Sequence, residues 1–290
     1  MSVMKRSMKR ITIGGDPLWF RVFTHAVLIV ACVIALFPIL RIVSVSLRPG
    51  DRLLSTSLRI IPEGATLENY YNVLFKKDFF LWLWNSLVVS VTTAFIGLML
   101  ASTAAYGFSR WNFPGKKAGL VFLLATQMIP ASMMMIPLYI LAARLGFINT
   151  YRGLVLAYSV GSIPFSVWIL KGYYDSISAS LEEAAMIDGA TRMQTFYRII
   201  LPLSLPGLSI AFLFNFMSAW KDFLLARIML QKDFLFTWPL GLQQLQGQFR
   251  TSWGMFAAAS IMVAIPVVAL FLYTSRYLIS GLTLGSVKGD

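Results

Sequence analysis

Apolar residues fall in long runs along this chain, and polar residues are confined to the stretches between them. Six runs come near or exceed the about 20 residues that a helix needs to cross a bilayer. They are Val22–Leu47, Leu81–Phe108, Ala118–Ala142, Gly153–Leu170, Pro206–Leu230 and Gly254–Leu278. A helix satisfies its backbone polar groups internally, so runs of this kind predict membrane-spanning helices. Pro38 lies inside the first run and predicts a kink, and Arg41 near its end can extend its charge to the interface. Trp82 and Trp84 open the second run as an aromatic anchor. That run also carries the small residues Gly97, Ala101, Ala104, Ala105 and Gly107, which allow close helix packing. The third contains Met128, Met133, Met134 and Met135 with Pro130 and Pro137, and predicts an adaptable, kinked helix. Between the first two runs, the turn signals Arg48–Asp51 and Pro62–Gly64 precede an amphipathic stretch, Leu67–Phe75. This connection predicts a small extracytoplasmic hairpin or interfacial helix.

The stretch Leu181–Pro202 differs from all of this, being mixed, charged and flanked on both sides by apolar sequence. Ser180 predicts a helix N-cap, with Glu183 completing a capping box. Glu182 and Glu183 stand in the first turn, where the helix dipole favours negative charge. Gly189 predicts the stop of that helix. Thr191 and Gln194 form a second capping box, and Pro202 is the predicted end of the second helix. The pattern predicts two short helices and a bend, a rigid knob at a membrane surface. A plainer alternative is an interfacial hairpin whose Glu183 caps only its own backbone.

Composition narrows the function. Of the 290 residues, 58% are hydrophobic and 13% charged, against about 25% charged in a soluble domain. The net charge of +13 is spread over loops, without the clustered stripe of a nucleic-acid binder, and anionic lipid headgroups account for it. A single cysteine, Cys32, and a single histidine, His25, leave no internal disulfide and no His/Cys metal centre. Lys5, Arg6, Lys9 and Arg10 precede the first run without an A-x-A-like cleavage site, so that run reads as a retained first helix. These basic residues and the Arg110–Lys117 loop place the N-terminus inside, and an even number of spans returns the C-terminus and the Leu181–Pro202 stretch to the same side. The organisation is then a cytoplasmic N-terminal segment, 1–21, and a transmembrane domain, 22–290, with the loop 171–203 and the glycine-rich tail 279–290 on the cytoplasmic side.

Catalytic chemistry is missing from this pattern. There is no G-x-x-x-x-G-K-[ST] phosphate loop, one histidine rules out a credible Ser/His/Asp set, and no cofactor is implied. Asp222, beside Lys221, is the only carboxylate within a run, too few for a proton relay. Uphill transport would need energy from a partner. For a substrate path the weakly polar residues within runs are the candidates: Asn85, Ser86, Gln127, Ser159, Ser162, Asn215 and Ser218. Asn215 leads them, with Ser218 one turn on and Gln127 mid-way along the third run. For each, an interhelical hydrogen bond is the plain reading. Tyr158, Phe165, Phe212 and Trp220 offer faces for stacking on sugar rings.

Glu183-Ala184-Ala185, three residues, Gly189, nine residues, Ile199, one residue, Leu201-Pro202 resembles the EAA loop of ABC-importer permeases. The resemblance extends over nearly the whole chain to the MalG-like sugar permeases. The second-run opening Leu81–Ser86, the segment around Gln243-Gln244 and the tail Ser280–Gly289 carry it. It implies an all-α polytopic membrane helix bundle, the type I ABC importer permease fold, with six transmembrane helices and a cytoplasmic coupling helix. Glu182, Glu183, Ala184, Ala185, Asp188 and Gly189 would then dock into a cleft of the ATPase. The implied partners are a MalF-like second permease, a MalK-like ATPase dimer and an extracytoplasmic sugar-binding protein, whose cleft the Gln231–Trp253 loop would probe. The implied function is one half of a pathway for maltose/maltodextrin-type oligosaccharides, without catalysis of its own. The Arg144–Arg152 loop is shorter than in the best-known member, and Lys221 stands where a polar amide is common, so the sugar stays open. A permease for another oligosaccharide, a polyol or glycerol phosphate, or a stand-alone channel or secondary carrier, are the alternatives.

Overall fold

The computed structural model describes residues 17–51, 59–247 and 251–285, and their elements are helical. The order is α1 (Leu18–Ser46), α2 (Glu68–Lys76), α3 (Phe79–Arg110), α4 (Lys116–Gln127), α5 (Ala131–Arg144), α6 (Tyr151–Ser176) and α7 (Ala179–Ile187). After α7 come α8 (Arg192–Thr195), a π turn (Phe196–Ile200), α9 (Leu201–Leu203), α10 (Leu205–Trp220), α11 (Leu224–Met229), α12 (Trp238–Gln244) and α13 (Trp253–Gly285). Four helices, α1, α3, α6 and α13, are long and apolar enough to cross a membrane, and two bent pairs bring the number to six.

The third predicted span is the first of those bent pairs. α4 and α5 meet at 101° across Met128–Pro130. Proline lacks an N–H and disfavours helical geometry in the residue before it, so Pro130 turns the kink that the sequence predicts into a break. Pro137, by contrast, stays inside α5, as Pro38, Pro164 and Pro266 stay inside their helices. The fifth predicted span, Pro206–Leu230, is also not continuous. α10 ends at Trp220, and Asp222 starts a new helix, its Oδ1 accepting from the N–H groups of Leu225 and Ala226 at 3.1 Å each. The carboxylate that the sequence leaves isolated in a run is therefore a cap, held also by the Tyr158 hydroxyl at 2.9 Å. The tail is helical as far as Gly285, and the N-terminal residues 1–16 lie outside the described residues.

α3, α6 and α10 pack together as the centre of the bundle. The small residues of α3 allow this. Ala94, Ala101 and Ala105 are fully buried, and Gly97 leaves room for the Asn215 amide of α10, which a Cβ would approach to 3.1 Å. α1 lies outside this core against α13, with most of its apolar side chains exposed.

At the Phe79 end of α3 a cap of short elements is tied down by polar contacts. The Asn69 amide on α2 donates to the carbonyls of Ser46 and Arg48 at 3.0 and 2.9 Å. The Asn85 amide donates to the carbonyls of Phe234 and Phe236 at 3.0 and 2.9 Å, and Ser86 Oγ accepts from the Trp238 N–H at 2.7 Å. Beside them, α12 lays Gly241 on the buried indole of Trp82 so closely that a Cβ there would come within 2.0 Å of the ring. Gly241→Val is expected to destabilise the chain by about 1–3 kcal/mol through overpacking. The check is its thermal unfolding in detergent against Gly172→Val, where a Cβ meets nothing within 4 Å. The first variant should melt earlier and the second should not.

Candidate functional site

At the opposite end of α3, α7 stands on a polar mount. The N-cap is Ser178, two residues before the predicted Ser180, and it accepts from the Ser180 N–H at 3.3 Å. The Ser180–Glu183 capping box is not formed, because the helix starts earlier and places Glu182 in its first turn instead. The Ser180 and Ser178 hydroxyls share a hydrogen bond, 2.7 Å apart. The stop at Gly189 is as predicted. Its φ is +86°, the left-handed region that glycine enters without a Cβ penalty. The Gly189 N–H bonds to the Met186 carbonyl at 3.1 Å and the Ala190 N–H to the Ala185 carbonyl at 2.9 Å, the pair of bonds of a Schellman C-cap.

The second helix starts with the predicted capping box, Thr191 accepting from the Gln194 N–H and Gln194 from the Thr191 N–H. Pro202 does not end it. The helix widens into a π turn over Phe196–Ile200, where the Leu201 N–H reaches back to the Phe196 carbonyl, and continues to Leu203. A widened turn gives the proline ring room beside the carbonyl of the preceding turn, with which it clashes in a regular α-helix, so Pro202 fits inside the helix. The chain bends by 80° only at Ser204.

Glu182 is the residue on which α7 rests. It is 6% exposed, and both carboxylate oxygens are engaged. Oε2 accepts from the Tyr106 hydroxyl at 2.6 Å, and Oε1 forms a short ion pair with Arg110 Nε. Arg110 is the last residue of α3. It also donates to the Ile177 carbonyl between α6 and α7 and to Ser109 Oγ, each at 3.0 Å. Ser109 donates in turn to Asp175 on α6 at 2.6 Å, and Lys171 donates to the other oxygen of Asp175 at 2.5 Å. Tyr106 packs against Phe196 of the π turn, ring centroids 4.6 Å apart, and edge-on to Tyr174 at 6.1 Å. A buried carboxylate needs a cation and donors to be tolerated, and here it has both. The far side of α7 is open. Glu183 and Ala184 are exposed there, with Leu181 at 48% and Ile187 at 86%. Leu181, Ala184 and Ile187 recur every third residue and form one apolar stripe. A narrow cleft lined by Trp111, Glu183, Met186 and Arg192 runs between this helix and the end of α3.

Sequence reasoning names Glu182 for the ATPase contact, whereas here its carboxylate is turned inward on Tyr106 and Arg110, two partners that the reasoning does not name. The signal for them is chemical: a carboxylate facing the bundle demands a cation, and Arg110 closes the nearest span.

The pathway candidates are scattered by comparison. Asn215 is fully buried between Gly97 and Ser166, whose hydroxyl donates to its Oδ1 at 3.1 Å, while its Nδ2 has no partner among the described residues. Ser218 turns back to the Asn215 carbonyl and Ser159 to the Val155 carbonyl, both at 2.8 Å. Ser162 is buried, and its hydroxyl has no partner among the described residues. Asn85 and Ser86 hold the cap at the other end of the bundle. Gln127 is exposed at the α4–α5 elbow and donates to the Gly161 carbonyl at 3.2 Å. Among the aromatic candidates, Trp220 stacks on Phe216 at 5.2 Å and Phe165 meets Phe214 at 4.8 Å. Among the described residues no group of three or more His, Cys, Asp or Glu could hold a metal ion.

Residues 76–276 match the family model of the binding-protein-dependent transport system inner membrane component. The chain is 38% identical over 290 residues to the maltose/maltodextrin transport system permease protein MalG of Photorhabdus laumondii, covering 93% of this chain and 97% of that protein. To its Escherichia coli K12 counterpart it is 38% identical over 285 residues, covering 92% and 95% of the two chains. A chain in the crystal structure of a bacterial ABC transporter involved in the import of the acidic polysaccharide alginate superposes with a TM-score of 0.78 at 23% identity, over 89% of this chain and 96% of that one. With an all-helical bundle, two bent spans and a separately mounted α7, the chain belongs to the family of binding-protein-dependent transport system inner membrane components.

Proposed function

We propose that this chain is the permease subunit of an ATP-driven importer for maltose/maltodextrin-type oligosaccharides, and that α7 is its coupling helix. The mount of α7 carries the coupling part of this reading. A helix capped at both ends, clamped on one side through Glu182 and presenting Leu181, Ala184 and Ile187 on the other, suits docking into a partner and transmits force as a rigid body. Glu183, Ala184, Ala185, Asp188 and Gly189 lie on or beside the exposed surface and are assigned to the ATPase contact. The relatives' names support the sugar, and the family description supports delivery by an extracytoplasmic binding protein.

In this reading both termini and α7 face the cytoplasm. The chain forms half of the pathway with a second permease, and a separate ATPase pair supplies the energy. Closure of that pair on ATP favours the state of the bundle to which the docked α7 is tied, and such a shift needs only differential contact between the two states. Gln127, Asn215 and Ser218 are assigned to the substrate path. Gln127 sits at the exposed elbow, Asn215 is buried between Gly97 and Ser166, and Ser218 lies one turn further along α10.

The experiment is maltose-stimulated ATP hydrolysis in liposomes, with the chain purified together with the products of its neighbouring genes and the binding protein added. Wild type is expected to be stimulated. Gly189→Asp puts a side chain at φ +86°, a conformation that costs an L-residue about 1–2 kcal/mol, and adds charge to the docking surface. It is expected to abolish stimulation while the complex still assembles. Stimulation by a different sugar would discard maltose and keep the mechanism. A chain that brings no ATPase with it would contradict both.

A further inference from the structure

Both polar latches described above act on one helix. α3 runs without proline for 32 residues, about 48 Å at the helical rise, and so reaches from one end of the bundle to the other. At its start, Asn85 and Ser86 hold the backbone of Phe234, Phe236 and Trp238, and Trp82 seats Gly241. At its end, Tyr106 and Arg110 hold Glu182 of α7. These contacts are side chain to backbone at the first end and a buried ion pair at the second, and neither belongs to the general apolar packing of the bundle. Asn85 is 2% exposed, and it donates twice across more than 140 residues of sequence, |i−j| being 149 and 151. Fixing the 231–247 segment in this way leaves it little freedom to move apart from α3. The ion pair does the same for α7.

From this geometry we infer that α3 is the strut through which the extracytoplasmic cap and the ATPase-facing α7 sense each other, with Asn85 and Arg110 as the positioning residues at its two ends. This inference rests on the function proposed above, because it takes the cap to face the binding protein and α7 to face the ATPase. A rigid strut gives reciprocal coupling. Binding protein pressed on the cap biases α7, and nucleotide closure on α7 biases the cap, by the same factor. Neither residue touches sugar or nucleotide. Each acts by holding a backbone segment in register with α3.

The test uses the assembled transporter in liposomes and reads basal and binding-protein-stimulated ATP hydrolysis in the same preparation. Arg110→Gln and Asn85→Ala are expected to keep basal hydrolysis and to lower the stimulation ratio by about tenfold, within the usual range of site-to-site coupling. The double variant is expected to be no worse than the weaker single one, because both cut one path. Thr103→Ala, on the same helix but bonded only to its own preceding turn, should leave the ratio unchanged. A loss of purified complex at an unchanged ratio is what a purely structural role would give, and it would overturn the inference. So would stimulation within about twofold of wild type, or losses that multiply in the double variant. Should Arg110→Gln fail to assemble, Tyr106→Phe removes one hydrogen bond to Glu182 and keeps the ring. A reduced ratio there supports the strut, and an unchanged one overturns it. A wild-type complex that binding protein does not stimulate overturns the functional proposal first and the strut with it, and is told apart by that baseline.

Discussion

A buried carboxylate sets the terms for this structure. Glu182 sits at 6% exposure between α7 and the end of α3, and it is tolerated there because Tyr106 and Arg110 engage both of its oxygens. Removing one partner of such a pair leaves a desolvated charge, a cost of about 3–5 kcal/mol. That asymmetry fixes where α7 stands. Its consequences spread through Arg110 to the Ile177 carbonyl and to the Ser109–Asp175–Lys171 chain on α6, so the helix, the turn before it and two spans form one body.

The same rule operates at the other end with backbone partners. Asn69 and Asn85 each place two donors on carbonyls of distant segments, and Ser86 and Asp222 accept from backbone N–H groups at helix starts. Short elements such as α2, α11 and α12 are too small to hold their place by helix propensity, which is marginal below about 12 residues. They are held by these amides and by the fit of glycines against large rings. Between the two ends the core of α3, α6 and α10 closes on the small side chains of α3, and two of its buried polar residues, Asn215 and Ser166, bond to one another.

Much of this was legible in the sequence, and the reasons for the remainder are specific. Hydrophobic runs placed α1 and α3 to within four residues at each end and the starts of α6 and α13 to within two, because length and apolarity decide a continuous span, while α6 and α13 run six and seven residues past the predicted ends. The bend at Gly189 and the Thr191–Gln194 box were legible because their cause is local. The break at Pro130 was foreseen as a kink and no more, since a proline can break a helix, as Pro130 does, or stay inside one, as Pro137 does. Pro202 misled for the same reason, the π turn having absorbed it. Asp222 was read only as the one carboxylate within a run, because its role as a cap needs the end of α10 at Trp220, which no local signal marks. Above all, the Tyr106–Arg110–Glu182 contact joins residues more than 70 positions apart, |i−j| being 76 and 72. A single sequence states the need for such a partner without naming it.

These pieces describe a membrane helix bundle whose α7, the proposed coupling helix, is held from beneath and open from above. The most direct measurement is the accessibility of that open face. In a chain with Cys32 replaced and Ile187→Cys introduced, a water-soluble maleimide should label position 187 readily in the isolated chain, where Ile187 is 86% exposed. In the complex assembled with the ATPase the same position should be protected, while a cysteine at the exposed position 63 stays reactive. Equal labelling of position 187 in both preparations would contradict the account, because the helix on which the rest depends would then face no partner.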